Sequence, residues 1–294
     1  MRNIFLGTDF FCDCDDAVAI RLLCRAHRKG EINLVGIGIN VNGKTSVPAL
    51  YGMFNIEGVK DIPVGIEVDG HEFDNDTSSY HGGLISYAVG MSQEKAVPDA
   101  VKVYRRALAS AEGKVDIAEI GFLHVLADVL DSEGDEISPL CGVELFKQKV
   151  NHVWTMAGKW DEDGGREYNI ICHARSVDGA KRLVEKCPVP ITFLGFEIGV
   201  DVISGSKLAL DDPLKQVLVN HGSPNGRSSW DPMLAHLAIL GDVEKAGYAE
   251  VIGRAVIDSD GSNHFIPDKN GNHSYVVRKY EPQYYADIID SLIK

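Results

Sequence analysis

Residues 3–39 read NIFLGTDFFCDCDDAVAIRLLCRAHRKGEINLVGIGI, and this stretch decides the fold class. Its first part, residues 3–8 (NIFLGT), is a short apolar run typical of a strand. The segment 15–29 places apolar side chains at helical spacing and is followed by Gly30, a common helix stop. Residues 32–39 (INLVGIGI) are apolar along almost their whole length, which indicates a second strand buried on both faces. The stretch therefore predicts a strand, a helix and another strand.

The same alternation continues along the chain. Further strand candidates lie at residues 62–66, 115–121, 152–157 and 189–195. Helical periodicity lies between the strands, at residues 47–54, 99–111, 123–130 and 177–186. Strands buried on both faces and separated by helices predict an α/β fold with a mostly parallel central sheet flanked by helices. In such sheets ligands bind beyond the carboxyl ends of the strands, so we expect the chemistry in the loops that follow them.

The domain organisation is expected to be simple. The sequence shows no internal repeat and no low-complexity linker, and 294 residues can bury a large core. We therefore expect residues 1–294 to form a single domain. Three polar segments, at residues 69–79, 161–165 and 258–273, are predicted to be surface loops rather than domain boundaries.

Charge and composition exclude several classes of protein. Asp and Glu number 43 against 29 Lys and Arg, so the formal net charge is −14 and the pI is about 5.1. Such a surface repels a phosphate backbone, so no nucleic-acid partner is expected, although an uncharged nucleoside is compatible. No apolar run approaches the roughly 18 residues of a membrane-spanning helix, and the amino terminus lacks the apolar core of a signal peptide. The six sparse cysteines are expected to be reduced thiols in a cytoplasmic protein.

Four aspartates follow the first predicted strand within eight residues: Asp9, Asp13, Asp15 and Asp16. One interpretation is a helix start, in which Asp13 or Asp15 caps the helix and the acids favour the positive end of its dipole. Capping accounts for one or two of them, whereas four carboxylates on one loop repel each other unless a cation neutralises them. The cluster therefore favours a metal site over capping alone.

The donor atoms indicate the kind of cation. Carboxylate oxygens favour Ca²⁺ or Mg²⁺ over zinc, and Cys12 and Cys14 lack the second pair of ligands that a zinc site needs. An EF-hand loop starting at Asp13 fails because its twelfth position is Cys24, where a Glu is required. A phosphatase nucleophile at Asp13 and Asp15 is disfavoured because this pair lies beyond the strand end and a third Asp follows it.

The aspartate cluster resembles the amino-terminal signature of the inosine–uridine-preferring nucleoside hydrolase family, in the variant with a longer loop. The resemblance implies that Asp9 is a metal ligand and the general base, that Asp15 holds a ribose hydroxyl, and that Asp16 chelates the metal. Asp13 is the extra residue of the longer loop, and its role stays open. Residues 10–12 (FFC) fill the stretch where the family usually has a glycine.

Further segments extend this resemblance nearly end to end. Asn42, or alternatively Asn40, stands where the family has an Asn that contacts ribose, although an Asn-Gly turn also explains Asn42. His81 begins a His-Gly-Gly sequence that resembles an element at the mouth of the active site, and a plain surface histidine is the alternative. Within residues 120–127 (IGFLHVLA), His124 stands where the family has a Thr whose backbone carbonyl binds calcium.

The second half of the chain completes the implied site. Met156 lies in a segment (WTMAG) that resembles a Met-Gly-Gly turn beside the substrate. Glu167 and Asn169 correspond to residues that bind ribose hydroxyls, and we expect an extended segment there because its alternate side chains face one side. Their alternative is ordinary surface exposure. Asp231 is the implied third carboxylate ligand, and the preceding Trp230 either stacks on a purine or packs in the core.

The resemblance implies a Rossmann-like nucleoside hydrolase fold. It also implies hydrolysis of the N-glycosidic bond of ribonucleosides to free base and ribose, with a calcium-bound water, in a homodimer or homotetramer that serves nucleoside salvage. Base preference stays open with a lean to purines, and the acid that activates the leaving base is not identified. A non-catalytic nucleoside- or ribose-binding protein on the same fold is the alternative. A metal phosphoesterase is disfavoured because Arg166 is the only basic residue in the matched segments.

Overall fold

The computed structural model describes residues 1–73, 76–89 and 97–294. Its strands are β1 (Arg2–Thr8), β2 (Ile32–Ile39), β3 (Val64–Ile66), β4 (Val115–Glu119), β5 (Val150–Met156), β6 (Ile191–Leu194), β7 (Ile203–Ser204), β8 (Arg227–Ser228), β9 (Tyr248–Ile257), β10 (Asn263–Pro267) and β11 (His273–Arg278). Its helices are α1 (Asp15–Arg28), α2 (Ser46–Glu57), α3 (His81–Ile85), α4 (Ala100–Ser110), α5 (His124–Asp131), α6 (Gly142–Lys149), α7 (Tyr168–Ile171), α8 (Ala174–Lys186), α9 (Phe196–Gly199), α10 (Pro213–His221), α11 (Trp230–Leu240) and α12 (Pro282–Ile293).

Nine of these strands form one central sheet in the order β10-β9-β11-β6-β5-β4-β1-β2-β3. The seven strands from β11 to β3 are all parallel, and β9 runs antiparallel to both of its neighbours. The chain moves outward from β1 to β3 and then crosses back to β4, so the strand order reverses between β1 and β4. This is the order of a doubly wound, Rossmann-like sheet, in which the reversal point is the usual ligand site.

Helices cover both faces of the sheet. Ile4 and Leu6 of β1 pack in a core cluster with α1, α2 and α11, whereas Phe5 packs in a second cluster with α4, α5 and α8. Successive side chains of a strand point to opposite faces, so both faces of β1 are buried. Gly7 continues this strand where an added Cβ would collide with the carboxylate of Glu119 on β4.

The predicted α/β fold with a mostly parallel, helix-flanked sheet is confirmed. The predicted runs correspond to β1 to β6 and to α1, α2, α4, α5 and α8, and the limits of β2 agree at both ends. The six cysteines are free thiols, as expected. Within the described ranges, no helix is long and apolar enough to cross a bilayer.

One loop prediction is wrong. Residues 258–273 contain β10, which pairs antiparallel with β9 at the edge of the sheet. The segment is rich in Asp, Gly and Asn because turns flank the strand on both sides. These turn residues dominate the composition, so the five-residue strand between them is not apparent from the sequence. Residues 161–165 are a turn as predicted, and the described part of 69–79 lacks helix and strand, with residues 74 and 75 outside the described residues.

Candidate active site

The carboxyl ends of the central strands open into a cavity of about 350 Å³. It lies beside the point where the strand order reverses, which is the edge at which the sequence predicts chemistry. Its lining residues are Asp9, Cys12, Asp13, Asp15, Asp16, Ile120, Met156, Glu167, Tyr168, Asn169, Phe196, Arg227, Trp230 and Asp231.

Three buried carboxylates meet on one side of this cavity. Asp15 and Asp16 begin α1, Asp231 lies in the first turn of α11, and oxygens of all three lie within 4.8 Å of one another. The backbone N–H of Asp231 donates to Oδ2 of Asp15 at 3.1 Å, and the Thr8 hydroxyl donates to Asp16. Asp9 also lines the cavity and is 6% exposed. The structure thus brings together acids from two distant parts of the chain.

Helix capping does not explain these acids. The residue before α1 is Cys14, and no side chain caps the helix there. The carboxylate of Asp13 accepts from the N–H of Cys14 at 2.7 Å, which is a contact within the loop. Asp15 and Asp16 instead point their carboxylates into the group formed with Asp231, so the cation-site interpretation fits their placement better.

Burial raises the pKa of Asp15, Asp16 and Asp231 well above the ordinary aspartate range, and the neighbouring carboxylates raise it further. Burial also raises the pKa of Asp9 to about 7, with the charge of Asp13 adding to the effect. Carboxylates this close cannot all be charged unless a cation offsets them. Oxygen-only donors in such a group suit a hard divalent cation, so the residues present fit Ca²⁺ or Mg²⁺.

Another wall of the cavity carries the residues that were predicted to bind ribose. Glu167 accepts hydrogen bonds from the N–H groups of Gly158 at 3.0 Å and Asn169 at 2.8 Å, and burial raises its pKa to about 7. The Asn169 side chain donates to the carbonyls of Met156 at 3.0 Å and Ile120 at 3.3 Å. All three predicted residues here, Met156, Glu167 and Asn169, therefore line the cavity.

The expectation of an extended segment at this wall is wrong. Only Glu167 has extended backbone, and Tyr168–Ile171 form the short helix α7. Glu167 caps that helix, because its carboxylate accepts from the N–H of Asn169 two residues later. The side chains of Glu167 and Asn169 still line the cavity, because the capping contact holds the two residues close together.

Aromatic side chains form the more exposed rim of the cavity. The indole N–H of Trp230 donates to the carbonyl of Phe196 at 2.7 Å, and the two rings stack with centroids 5.4 Å apart. Tyr168 also lines the rim and is exposed. Trp230 is thus neither fully buried in the core nor fully exposed, and it presents part of an aromatic surface to the cavity.

Sequence reasoning missed Arg227, the one basic side chain that lines the cavity in the described residues. Its Nε lies 2.9 Å from Oδ1 of Asp13 and its Nη2 lies 2.5 Å from Oδ2, so the pair is bidentate. Burial opposes the charge on Asp13, but the hydrogen bonds and charge of Arg227 outweigh it and lower the pKa of Asp13. Cys14 and His221 offer donor atoms within 4.8 Å of Asp13, but Arg227 already occupies its carboxylate.

Two predicted asparagines lie away from the lining of the cavity. The Asn40 side chain donates to Glu119 at 2.8 Å and accepts from the N–H of Phe122 at 3.1 Å, so it ties β2 to the end of β4. The Asn42 side chain donates to the carbonyl of Gly70 at 3.2 Å. Neither belongs to the residues that line the cavity.

The two predicted histidines are also outside that lining. His81 is fully buried among aromatic rings that include Phe10 and Phe11, its Nδ1 lies 2.8 Å from the Thr45 hydroxyl, and burial lowers its pKa to about 3. His124 begins α5, and its Nε2 lies 3.0 Å from Oε2 of Glu67. The role predicted for His124 is that its backbone carbonyl binds the cation. The contact between its side chain and Glu67 does not bear on that role.

Comparisons of the whole chain agree with this architecture. No protein-family model and no curated protein matches the chain significantly. Among solved structures, the inosine–uridine-preferring nucleoside hydrolase from Bacillus anthracis superposes with a TM-score of 0.72 and 17% identity, covering 100% of this chain and 99% of that chain. The purine-preferring ribonucleoside hydrolase from Gardnerella vaginalis gives 0.72 and 15%, with coverage of 100% and 99%.

A plant nucleoside hydrolase superposes with a TM-score of 0.71 and 15% identity, covering 99% of this chain and 98% of that chain. These similarities extend over essentially the whole length of each protein. The chain therefore has the nucleoside hydrolase fold, as the resemblance in its sequence predicts.

Proposed function

We propose that this protein is a nucleoside N-ribohydrolase that depends on a divalent cation, preferably Ca²⁺. The reaction breaks the bond between C1′ of ribose and a nitrogen of the base, and water adds to C1′. Positive charge develops on the ribose in the transition state, so the site must present negative charge to it. The observation that carries the proposal is the meeting of Asp9, Asp15, Asp16 and Asp231 in one cavity.

Asp9 is proposed as the general base. It lines the cavity that holds the carboxylate group, and a carboxylate at that place can take a proton from an attacking water. Its backbone follows β1 directly, so a rigid strand end fixes its position. General base catalysis typically contributes about 10²–10⁴-fold to the rate.

The carboxylate group is the proposed cation site. Asp16 and Asp231 belong both to the ligand set that the resemblance implies and to the group of three that the structure brings within 4.8 Å. The resemblance adds Asp9 and the carbonyl of His124, and the structure places Asp15 in the group. A bound Ca²⁺ would offset the carboxylate charge, orient the ribose hydroxyls and lower the pKa of a water.

The remaining lining residues suit a nucleoside. Asp15, Glu167 and Asn169 offer polar atoms for ribose hydroxyls, and Met156 supplies an apolar contact between them. Trp230 offers a ring against which a purine can stack. The resemblance adds Asn42 as a ribose residue and His81 as an element near the mouth, although neither side chain lines the cavity, and it adds a homodimer or homotetramer. The cytoplasmic location that the sparse cysteines indicate also stays part of the proposal.

The test is release of ribose from a panel of purine and pyrimidine nucleosides, measured with a reducing-sugar assay in the presence of Ca²⁺. We expect turnover with at least one nucleoside and a loss of about 10²–10⁴-fold in Asp9→Asn, whose melting temperature without cation should be no lower than that of wild type. Asp178→Asn, an exposed carboxylate on α8, is the matched control and should keep full activity.

Two outcomes would overturn the proposal. The first is full turnover in Asp9→Asn. The second is binding of nucleosides, seen by calorimetry, without release of ribose under any cation condition, which would instead establish the non-catalytic binding protein on the same fold.

A further inference from the structure

We propose that Arg227, held in place by Asp13, stabilises the departing base as it takes up negative charge. The inference rests on the proposed nucleoside hydrolase function. It identifies the group that assists departure of the base, which the sequence did not identify. It also gives Asp13, the extra residue of the longer loop, a role as a positioning residue.

The fixed position of Arg227 is the first argument. Two of its guanidinium nitrogens, Nε and Nη2, bind the two carboxylate oxygens of Asp13. The loop that carries Asp13 is itself held by the Tyr80 hydroxyl, which donates to the Asp13 carbonyl at 2.5 Å. The third nitrogen, Nη1, forms no hydrogen bond with any residue that the structure describes. The guanidinium is therefore oriented on one edge and free to donate on another.

The uneven exposure of the charged groups around the cavity is the second argument. Asp15, Asp16 and Asp231 are buried, whereas the Arg227 side chain is 33% exposed and belongs to the outer part of the lining, although its charge still reaches Asp15. Its guanidinium carbon is 5.3 Å from the centroid of the Trp230 ring. A ribose at the carboxylates places the attached base toward the aromatic and basic rim. Negative charge on the ring then develops beside Arg227 and positive charge on the ribose beside the acids.

The chemistry of the group decides the form of its assistance. Arginine stays protonated in proteins, so Arg227 cannot supply the proton that a departing base finally needs. The C1′–N bond breaks with its electron pair moving to the base nitrogen, and the hydrogen bond from Arg227 stabilises that anion. Water adds its oxygen to C1′ and loses a proton to Asp9, and the base anion takes a proton from solvent. One water is consumed for each nucleoside.

A purely structural ion pair is the competing explanation. Asp13 and Arg227 are 31% and 33% exposed, and pairs exposed to that extent typically contribute about 0–1 kcal/mol to stability. A structural pair would affect all substrates equally, because it would act only through the fold. A group that stabilises the leaving base must affect substrates according to how poorly their leaving groups depart.

The test compares the accepted nucleoside with p-nitrophenyl β-D-ribofuranoside, whose p-nitrophenolate departs without assistance. Arg227→Gln should lower kcat on the nucleoside by about 10²–10³-fold and leave kcat on the p-nitrophenyl riboside unchanged. Arg227→Lys keeps the charge but loses the bidentate contact, so it should recover part of the loss. Asp13→Asn should show the same dependence on leaving group with a smaller loss, because it only frees the guanidinium.

Arg278→Gln is the matched control. Arg278 forms a bidentate pair with Asp201, at 2.5 and 3.2 Å, and does not line the cavity. This variant should keep full activity on both substrates. Melting temperatures of all variants separate loss of fold from loss of activity, and Arg227→Lys serves if Arg227→Gln does not fold.

The outcomes distinguish this inference from the proposed function. Suppose that wild type cleaves both substrates. If the Arg227 variants then lose activity equally on both substrates, or keep full activity on both, the inference is wrong and the proposed function stands. If wild type cleaves neither substrate, the proposed function fails and the inference fails with it. A loss confined to the nucleoside supports both.

Discussion

Helix α1 carries two groups of buried charges that the fold treats in opposite ways. Its first turn holds Asp15 and Asp16, which lie against Asp231 and form no ion pair with any described residue. Its later turns hold Arg21 and Arg25, which are paired with acids on neighbouring elements. The helix dipole favours the acids in the first turn and Arg25 in the last turn, whereas Arg21 lies in the middle of the helix. The difference between them lies in their partners.

The basic group is fully compensated. Nε of Arg21 lies 2.6 Å from Glu57, and its two Nη atoms each lie 2.8 Å from Asp212. Nε of Arg25 lies 2.9 Å from the second oxygen of Glu57. The side chains of Arg21 and Glu57 are both 2% exposed, and Glu57 is shared between Arg21 and Arg25 while Asp212 also neutralises Arg21.

The acidic group lacks such compensation, and this contrast separates structure from function. Buried charges are retained in proteins when they are paired or bind a ligand of opposite charge. The basic group binds α1 to α2 and α10 and needs nothing further. The acidic group raises the free energy of the cation-free fold, which is what the cation site proposed above would require.

The largest expected effect on stability comes from breaking the compensated group. Glu57→Gln should lower the free energy of unfolding by about 3 kcal/mol, at the lower end of the range for removing one partner of a buried pair. The reason is that Arg21 keeps Asp212 while Arg25 loses its carboxylate partner. Urea unfolding measures the change.

The exposed Glu185 on α8 provides the control. Glu185→Gln should change the free energy of unfolding by no more than about 0.5 kcal/mol. Equal stabilities for the two variants would show that the group around Arg21 is not what holds α1 in place. In that case the basic group of α1 would not stabilise the fold, and the contrast drawn with its acidic group would not hold.

The next effect comes from the uncompensated group. Ca²⁺ at about one hundred times its dissociation constant should raise the free energy of unfolding by about 2.7 kcal/mol, since only the folded chain assembles the site. Asp16→Asn should abolish this gain while leaving the cation-free protein as stable as wild type or more so, because it removes one repelling charge. Melting curves with Ca²⁺ and with a chelator measure both quantities.

Glu57→Gln is the control for this experiment as well. It should be less stable than wild type at every Ca²⁺ concentration and still gain the full stabilisation from Ca²⁺. A wild type that gains nothing from any divalent cation would contradict the cation site. A cation-free Asp16→Asn much less stable than wild type would show that this carboxylate is structural.

The parts of the fold that sequence predicted are those with strong local patterns. The β-branched run of β2 was found with both limits, because a strand buried on two faces is apolar throughout. The strands β9 to β11 were not predicted, because many of their residues are partly exposed and this weakens the apolar pattern. Their position depends on pairing between segments rather than on local composition.

The same limit applies to the site. Asp9 and Asp16 were found because carboxylates crowd one strand end, and Asp231 because its segment resembles a known motif. Arg227 gives no such signal, since its importance comes only from meeting Asp13, which lies 214 residues earlier. His81 matched a motif but lies in a buried aromatic pocket, because long-range packing of neighbouring rings decides where a side chain points.

The effect that is smallest per pH unit and per group is a pH dependence of stability in the cation-free protein. Burial raises the pKa of Asp9 and Glu167 to about 7 and that of Glu119 to about 8. In the unfolded chain these groups titrate near their ordinary values, so between pH 8 and 5 the folded state takes up protons that the unfolded state does not. Stability therefore rises as pH falls through this window, by up to about 1.4 kcal/mol per pH unit for each group.

Glu119 tests this effect at a residue outside the cavity lining: it is fully buried and hydrogen-bonded to Tyr104 and Asn40, and burial is the main cause of its raised pKa, with the charge of Asp9 adding to it. Glu119→Gln should make the rise in stability between pH 8 and 5 shallower by as much as one group contributes. Below about pH 4.5 the trend should reverse, because hydrogen bonds from His124 and Asp69 lower the pKa of Glu67 to about 2 against its burial and its protonation then costs stability. Urea unfolding in chelator across this range provides the measurement. A wild-type stability that falls steadily from pH 8 to 5 would mean that the buried acids are already compensated without a cation, and the two ends of α1 would then be alike.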